Sequence, residues 1–403
     1  MRITHLTASG ELGGAERVAL ECMHAARSWN GVEVSLVALG RGRLVDAAAS
    51  VGARATSVEA PSEVALLGDA FASAGATIRA MAPALQRFPG FYRRFGEAVK
   101  VTDPDVIHSH GIKTHVLSAL MPRQAPVVWH IHDYLGTRSI SSRLARLLGN
   151  RCDLAIAVSE SVADDARRVL PASVPVVAIH NAIDTDRFVP DGPAADLDAL
   201  AGLPAAAAGT LRIGLPATFA RWKGHEIFLQ AISRIKAANI RAYVIGDAIY
   251  DTQNSQWTRA ELESIARDLG ISHRVGFTGA IDDMPAAYRA LDIVVHASTR
   301  PEPFGLVIAE AMSCGRALVA APEGGAGELF VDGVHGLAAR GGDVVGLARA
   351  IDDLIARPDR RAAFGAAARD HAVRAFGRHR FSRALAATME RIPTSSIPLE
   401  AAR

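Results

Sequence analysis

Short runs of β-branched and aliphatic residues alternate along this chain with longer stretches whose apolar positions recur every three or four residues. RITHLTA (2–8) precedes GAERVALECMHAARSW (14–29), and VEVSLVAL (32–39) follows; strand-like runs return at DVIHSHG, PVVWHIHD, DLAIAVS and VPVVAIHNAI between 105 and 183. Short apolar runs separated by amphipathic stretches predict parallel βαβ units. The pattern breaks at DGPAADLDALAGLPAAAAGT (191–210), rich in Ala, Gly and Pro, and restarts with LRIGLPAT, KGHEIFLQAISRI, RAYVIGD, DIVVHAS, FGLVIAEAMSCG and RALVAAPEGG. The expected architecture is α/β, with two Rossmann-like doubly wound domains at 1–190 and 211–375. Residues 191–210 read as a linker, and 376–403 as a C-terminal helix placed to pack back on the first domain.

Open parallel sheets bind ligands beyond the carboxyl ends of their strands. The loops at those ends are SGELGGAER, HSHG and HIHDY in the first half, and ATFARWKG, GDAIYD, STRPEPFG and PEGGAGE in the second.

Composition narrows the classes. The chain has 403 residues, 49% of them hydrophobic, and a net charge of +2 without a basic arm or stripe, which argues against a nucleic-acid partner. Cys22, Cys152 and Cys314 lie far apart and form no Cys-x-x-Cys pair, which argues against a disulfide framework or a cysteine zinc site. The N-terminal segment lacks a signal-peptide pattern and no run reaches eighteen apolar residues, so a cytoplasmic protein is expected. Only Lys100, Lys113, Lys223 and Lys236 are lysines among the 44 basic residues. A lysine here marks a position where arginine does not serve.

In STRPEPFGLVIAEAM, Pro301 and Pro303 disfavour helix before them, while apolar spacing at Leu306, Ile308, Ala309 and Met312 starts just after Gly305. Glu302 is thus expected in a loop and Glu310 in the second turn of a helix. The N–H groups at that helix start suit a phosphate or diphosphate, and carboxylates on either side suit sugar hydroxyls. SGELGGAERV also opens a helix after a strand, so Gly13 and Gly14 permit close approach of an anion to its start, with Glu16 in the first turn.

Five histidines, His108, His110, His115, His130 and His132, cluster in HSHGIKTH and HIHDY. Residues two apart on a strand share a face, so each His-x-His could chelate a metal, and a histidine-ligated metallohydrolase is an alternative reading. HIHDY lacks the further Asp-His step of such hydrolases, and a metal leaves the motifs of the second half unexplained. QRFPGFYRRFGEAVK (86–100) interleaves aromatic and basic residues; it reads as an exposed helix, or as a peripheral membrane or acceptor contact.

The spacing of Glu302 and Glu310 around Pro-Phe-Gly, the flanking DIVVHAS and AMSCGRALVAAPEGGAGELFVDGVHGLAA, and GGAERV, DVIHSHG, HIHDY, NAIDTDRFVP, WKGHE and VIGDA, in that order, resemble the retaining nucleotide-sugar glycosyltransferases of the GT-B fold, glycosyltransferase family 4. The resemblance covers nearly the whole chain and implies two domains facing across a cleft, with the donor on the second and the acceptor on the first. It implies that Glu310 binds the donor ribose, that Glu302 with the Phe304 and Gly305 backbone contacts the transferred sugar, and that the Gly305 and Leu306 amides face the phosphates. Lys223 matches the lysine that neutralises the diphosphate leaving group, and Gly14 lies near that diphosphate. His132 matches the histidine that contacts the donor sugar; His110 is structural or acceptor-side, and His130 an ordinary buried histidine. Gly246 and Asp247 face the nucleotide, residues 275–280 hold the base, and Glu328, in the loop with Gly324 and Gly325, supports the ribose side or caps a helix. Where the family usually carries arginine, this chain has Thr218, and Arg221 is the candidate to supply the charge. The implied activity is metal-independent retaining hexosyl transfer from a nucleotide diphosphate sugar, with UDP expected, to a hydroxyl acceptor. The missing arginine also permits a non-catalytic nucleotide-sugar binder.

Overall fold

The computed structural model describes residues 1–61, 74–248 and 255–392, excepting the side chains of 74–86. Residues 249–251 of the GDAIYD loop and the tail 393–403 lie outside these. The chain divides into two compact units, one formed by 1–182 together with 378–403, the other by 183–377.

In the first unit, β1 (Arg2–Thr7), β2 (Glu33–Leu39), β3 (Arg54–Val58), β4 (Val106–His110), β5 (Val127–Ile131), β6 (Leu154–Ala157) and β7 (Val176–Ala178) form a parallel sheet in the order 3-2-1-4-5-6-7. The direction of winding reverses between β1 and β4, so the loops after these strands, SGELGG and HSHG, flank the switch point where such sheets take ligands. One face of the sheet packs Ile3, Val106, Val128 and Ile156 with Val18 and Cys22 of the helix Gly14–Arg27.

The helix Arg378–Met389 completes that core. Phe381, Leu385 and Met389 recur at helical spacing and are at most 2% exposed, each burial contributing about 1.5–3 kcal/mol. Trp29 donates to Ser382 Oγ at 2.9 Å, and Arg378 holds both Glu21 oxygens at 2.6 Å. The long helix Ala74–Val101 places Phe91, Phe95 and Val99, four residues apart, at 0% exposure. These aromatics of the 86–100 stretch thus face the core, and its arginines 93 and 94 face outward.

The second unit repeats the plan with β8 (Leu211–Pro216), β9 (Ile240–Ile245), β10 (Val275–Gly279), β11 (Ile293–His296), β12 (Ala317–Ala320) and β13 (Leu337–Ala338), parallel and in the order 10-9-8-11-12-13. Its core joins Ile213, Leu215, Val244, Ile293 and Val319 to Phe228, Ile351 and Leu354 from the helices His225–Arg234 and Val344–Ala356. Residues 191–210, read from composition as a linker, fall inside this unit. Buried Asp198 in the short helix Leu197–Leu200 accepts from Tyr243 at 2.7 Å and from Arg212 at 3.3 Å, and pairs with Arg241. Burial works against its ionisation, but the Tyr243 and Arg241 contacts hold the carboxyl well below its usual range. Composition alone does not reveal such a tie, because its partners lie 14 to 45 residues away. Among the described residues, no helix is long and apolar enough to cross a membrane.

Candidate active site

The switch point of the second sheet lies between β8 and β11, and the two loops that leave it carry the charges singled out in the sequence. After β8 the chain passes Thr218, makes the single turn Arg221–Lys223, and reverses at Gly224 into the helix His225–Arg234. Gly224 has φ +79°, and a Cβ there would lie 1.9 Å from the Ala297 carbonyl oxygen just past β11. Only glycine permits that approach. Trp222 O accepts from the Thr299 amide at 2.7 Å, so the two loops are tied through their backbones.

This closeness brings Lys223 and Glu302 together. Nζ donates to Oε1 at 2.9 Å and to Oε2 at 2.7 Å, with the lysine side chain 20% and the glutamate side chain 10% exposed. Ser298 Oγ donates to Oε2 at 3.0 Å, and His296 Nε2 lies 3.2 Å from the same oxygen. Burial opposes ionisation of Glu302, but Lys223 and His296 hold its carboxyl well below the usual carboxylate range. Glu302 is therefore an anion at neutral pH that fixes the Lys223 ammonium. The sequence reading does not single out His296 and Ser298. Alternation in IVVHAS does place them on one side of a strand end, which is the signal that could have found them.

Beyond Glu302, whose amide donates to Glu323 O at 3.0 Å, the chain turns at Phe304 and Gly305 into the helix Leu306–Ser313. Gly305 sits at its N-cap with φ +100° and offers no side-chain cap. The first amides of this helix keep no capping side chain of that residue, as an anion seat requires. Phe304 is buried edge-on against Phe376 at 5.9 Å, which anchors the turn. Glu310, in the second turn, is 8% exposed and accepts from the Tyr288 hydroxyl at 2.8 Å.

The remaining residues of the second unit have mixed roles. Arg221 stacks over Trp257 with its guanidinium carbon 3.8 Å from the ring centroid and pairs with Glu261 at 2.9 Å. Its charge is engaged by its own neighbours. Gly246 has φ +140°, and a Cβ there would come within 2.0 Å of the Ala217 carbonyl, so packing between the ends of β8 and β9 by itself demands glycine. The Asp247 carbonyl accepts from Phe219 at 3.0 Å. Residues 275–280 hold β10, whose Gly279 carbonyl accepts from Gly246 at 3.0 Å. Gly324 bridges Glu302, and Gly325–Glu328 forms a single turn.

His225 follows Lys223 and is fully buried. Burial, then the neighbouring Lys223 charge, lowers its pKa from 6.5 to about 4. A histidine whose pKa falls on folding binds its proton more tightly in the unfolded chain. Its contribution to stability is complete above pH 6.5 and declines as pH drops toward 4, by about 1.4 kcal/mol one unit below 6.5. Wild type and His225→Asn compared by thermal midpoint should therefore converge as pH falls from 7 to 5; parallel pH profiles would remove the assignment.

In the first unit, Gly13 is the uncapped N-cap of the helix Gly14–Arg27, and a Cβ on Gly14 would meet nothing within 4 Å. Packing does not explain Gly14. His132, half-buried just past β5, has Nε2 3.1 Å from His110 Nδ1. His110 in turn lies 3.1 Å from His5, and His108 lies 3.2 Å from His130. His115 belongs to the opposite face, stacked on Trp129 at 4.9 Å. Burial first, then mutual repulsion, pushes His108, His110 and His130 well below their ordinary pKa.

Comparison with known proteins places this geometry. Residues 12–187 match the model of "Glycosyltransferase Family 4" and 209–371 that of "Glycosyl transferases group 1". A D-inositol 3-phosphate glycosyltransferase of Stackebrandtia nassauensis is 31% identical over 67% of this chain and 64% of its own length. D-inositol 3-phosphate glycosyltransferase 2 of Catenulispora acidiphila is 30% identical over 67% of each chain. The chain thus spans about two thirds of the length of these relatives, and less than that of the first. The crystal structure of Anabaena Alr3699/HepE in complex with UDP and glucose superposes with a TM-score of 0.81 at 26% identity, covering 97% of this chain and 100% of that one. One family match falls on each doubly wound half and in the same order, and the chain accordingly belongs to glycosyltransferase family 4, the group 1 glycosyl transferases of GT-B fold.

Proposed function

We propose that this protein transfers a hexose from a UDP-sugar to a hydroxyl acceptor with retention at the anomeric carbon and without a dissociable metal. The observation that carries the proposal is the buried Lys223–Glu302 pair beside the uncapped helix start at Gly305, at the switch point of the second sheet. Family membership and the UDP and glucose complex of the Anabaena protein support it.

In this reading the diphosphate sits on the Gly305 and Leu306 amides. Lys223 stabilises the charge that grows on the leaving phosphate as the bond from the anomeric carbon breaks. Glu302 contacts the transferred sugar while holding the lysine in place, and Glu310, fixed by Tyr288, takes the ribose hydroxyls. The departing phosphate oxygen accepts the acceptor hydroxyl's proton as the new bond forms on the same face of the sugar, so no glutamate becomes a covalent nucleophile. Gly13, Gly14 and His132, in the first unit, are assigned to the donor by the family resemblance alone. Gly246 and Thr218 line the nucleotide side, and Arg221 supports the turn that presents Lys223. Hydrolysis by a catalytic metal is disfavoured by burial. His108, His110 and His130 are at most 2% exposed, whereas a catalytic ion keeps a position open to water or substrate. The inositol phosphate acceptors named for the two relatives give the first acceptor class to try.

The test is a thermal-shift screen of nucleotide sugars, followed by turnover in buffer without added divalent ions. Donor at 100 times its dissociation constant should stabilise the chain by about 2.7 kcal/mol. UDP-sugars should exceed GDP- and ADP-sugars, and nuclear magnetic resonance should show the donor's anomeric configuration kept in the product. A stronger shift with GDP-sugars would overturn the UDP assignment, inversion would overturn retention, and binding without nucleotide release across an acceptor panel would leave a non-catalytic binder.

A further inference from the structure

The face of the first sheet beneath the helix Gly14–Arg27 changes character along its strands. It begins with Ile3, Val106 and Val128. Register then sets His5 beside His108, Thr7 beside His110, and His110 beside His130. Cys22, two helical turns beyond Gly14, reaches this face and lies 3.6 Å from His130 Nδ1. Ligand atoms of Cys22, His108, His110 and His130 all lie within 4.8 Å of one another, and the four residues are at most 2% exposed.

An aliphatic core would be cheaper here than imidazoles. Mutual hydrogen bonds satisfy them only in part, since His5 Nε2, His108 Nδ1 and His130 Nε2 are buried without a partner. Each such group costs about 1–3 kcal/mol, so this is an expensive core; the ring nitrogens that converge with Cys22 Sγ are the opposite ones, His108 Nε2 and His130 Nδ1, and lone-pair nitrogens brought together beside a thiol suit a shared cation. We propose that Cys22, His108, His110 and His130 bind one zinc ion as a closed structural site, clamping the helix Gly14–Arg27 to β4 and β5.

Two of the six ligand–ligand edges already match the ion, and the others lie within 4.8 Å. Zinc–nitrogen and zinc–sulfur bonds of about 2.0–2.1 and 2.3 Å give tetrahedral edges of roughly 3.3 Å between nitrogens and 3.6 Å between nitrogen and sulfur. The His108–His130 separation is 3.2 Å and the Cys22–His130 separation 3.6 Å. A neutral imidazole donates its lone pair to such an ion. On binding, Cys22 gives its thiol proton to solvent, so Zn²⁺ and the thiol become a zinc thiolate and one released H⁺. The site lies where the helix that begins at Gly14 meets the sheet, so its ion would set the position of the Gly13–Gly14 turn without entering the transfer step.

The experiment uses the untagged full-length protein, as purified and again after removal of metal and incubation with zinc chloride or cobalt chloride, with unbound ion removed by gel filtration. We expect one zinc per chain by elemental mass spectrometry. The cobalt form should show a thiolate-to-cobalt charge-transfer band with the visible absorption of a four-coordinate ion. Cys22→Ser should abolish that band and weaken zinc binding by more than the ~10–100-fold that loss of an outer hydrogen-bond partner produces. Should that variant fail to fold, the wild-type cobalt spectrum decides. Folded wild type that retains no zinc, or retains it without a thiolate band, would overturn the proposal.

Discussion

Lys223→Ala lowers turnover with saturating donor by about 10²–10³-fold, the loss expected when one preorganised group facing a developing oxyanion is removed. The ammonium is held by both Glu302 oxygens, one of which, Oε2, is itself engaged by Ser298 and His296, so it needs little reorganisation when phosphate charge develops. The same substitution strands Glu302 as a buried anion, and breaking a buried pair from one side is destabilising by about 3–5 kcal/mol at full burial. Lost folding could therefore imitate lost catalysis. The double variant Lys223→Met with Glu302→Gln separates them: it should recover much of the thermal midpoint while turnover stays low. Nucleotide release measured under saturating donor is the readout, and a single variant that turns over within tenfold of wild type would refute the leaving-group role of Lys223. Lys223→Arg should also fall well short of wild type, because a planar fork cannot place its charge on the point that the Gly224 turn presents.

The second large effect is on binding. Glu310→Ala should weaken donor affinity by about 10–150-fold, the range for a hydrogen bond to a charged group, while turnover at saturation changes only a few-fold. The carboxylate is 8% exposed and oriented by Tyr288, so its hydrogen bonds are made in a site largely withdrawn from water. Tyr288→Phe should give a smaller loss in the same direction, because it frees the carboxylate without removing it. Calorimetric titration with the donor and with the free nucleoside diphosphate provides the check. If Glu310 reads the ribose, both ligands weaken together; loss confined to the complete donor would move Glu310 to the sugar side.

Much of this protein is legible in its amino-acid order. Strand-like runs separated by amphipathic stretches identify the α/β class, and strand ends identify the loops that carry chemistry. The Pro-Phe-Gly turn tells where a helix starts, because proline and an uncapped glycine have local backbone consequences that do not depend on the rest of the fold. Segment 191–210 misleads for the opposite reason. Its alanines and prolines say little locally, and Asp198 becomes structural only through Arg212, Arg241 and Tyr243.

The sequence by itself determined which residues stand at strand ends and helix starts, since these follow from periodicity and from glycine and proline geometry along a few residues. Tertiary structure decided which of them meet. Lys223 and Glu302 lie 79 positions apart and become an ion pair only because β8 is hydrogen-bonded to β11 and Gly224 lets the two loops touch. His5, the paired histidines of β4 and β5, and Cys22 likewise form one cluster only through strand order and register. Strand pairing across long separations is set by the packing of the whole sheet, and no local pattern encodes it.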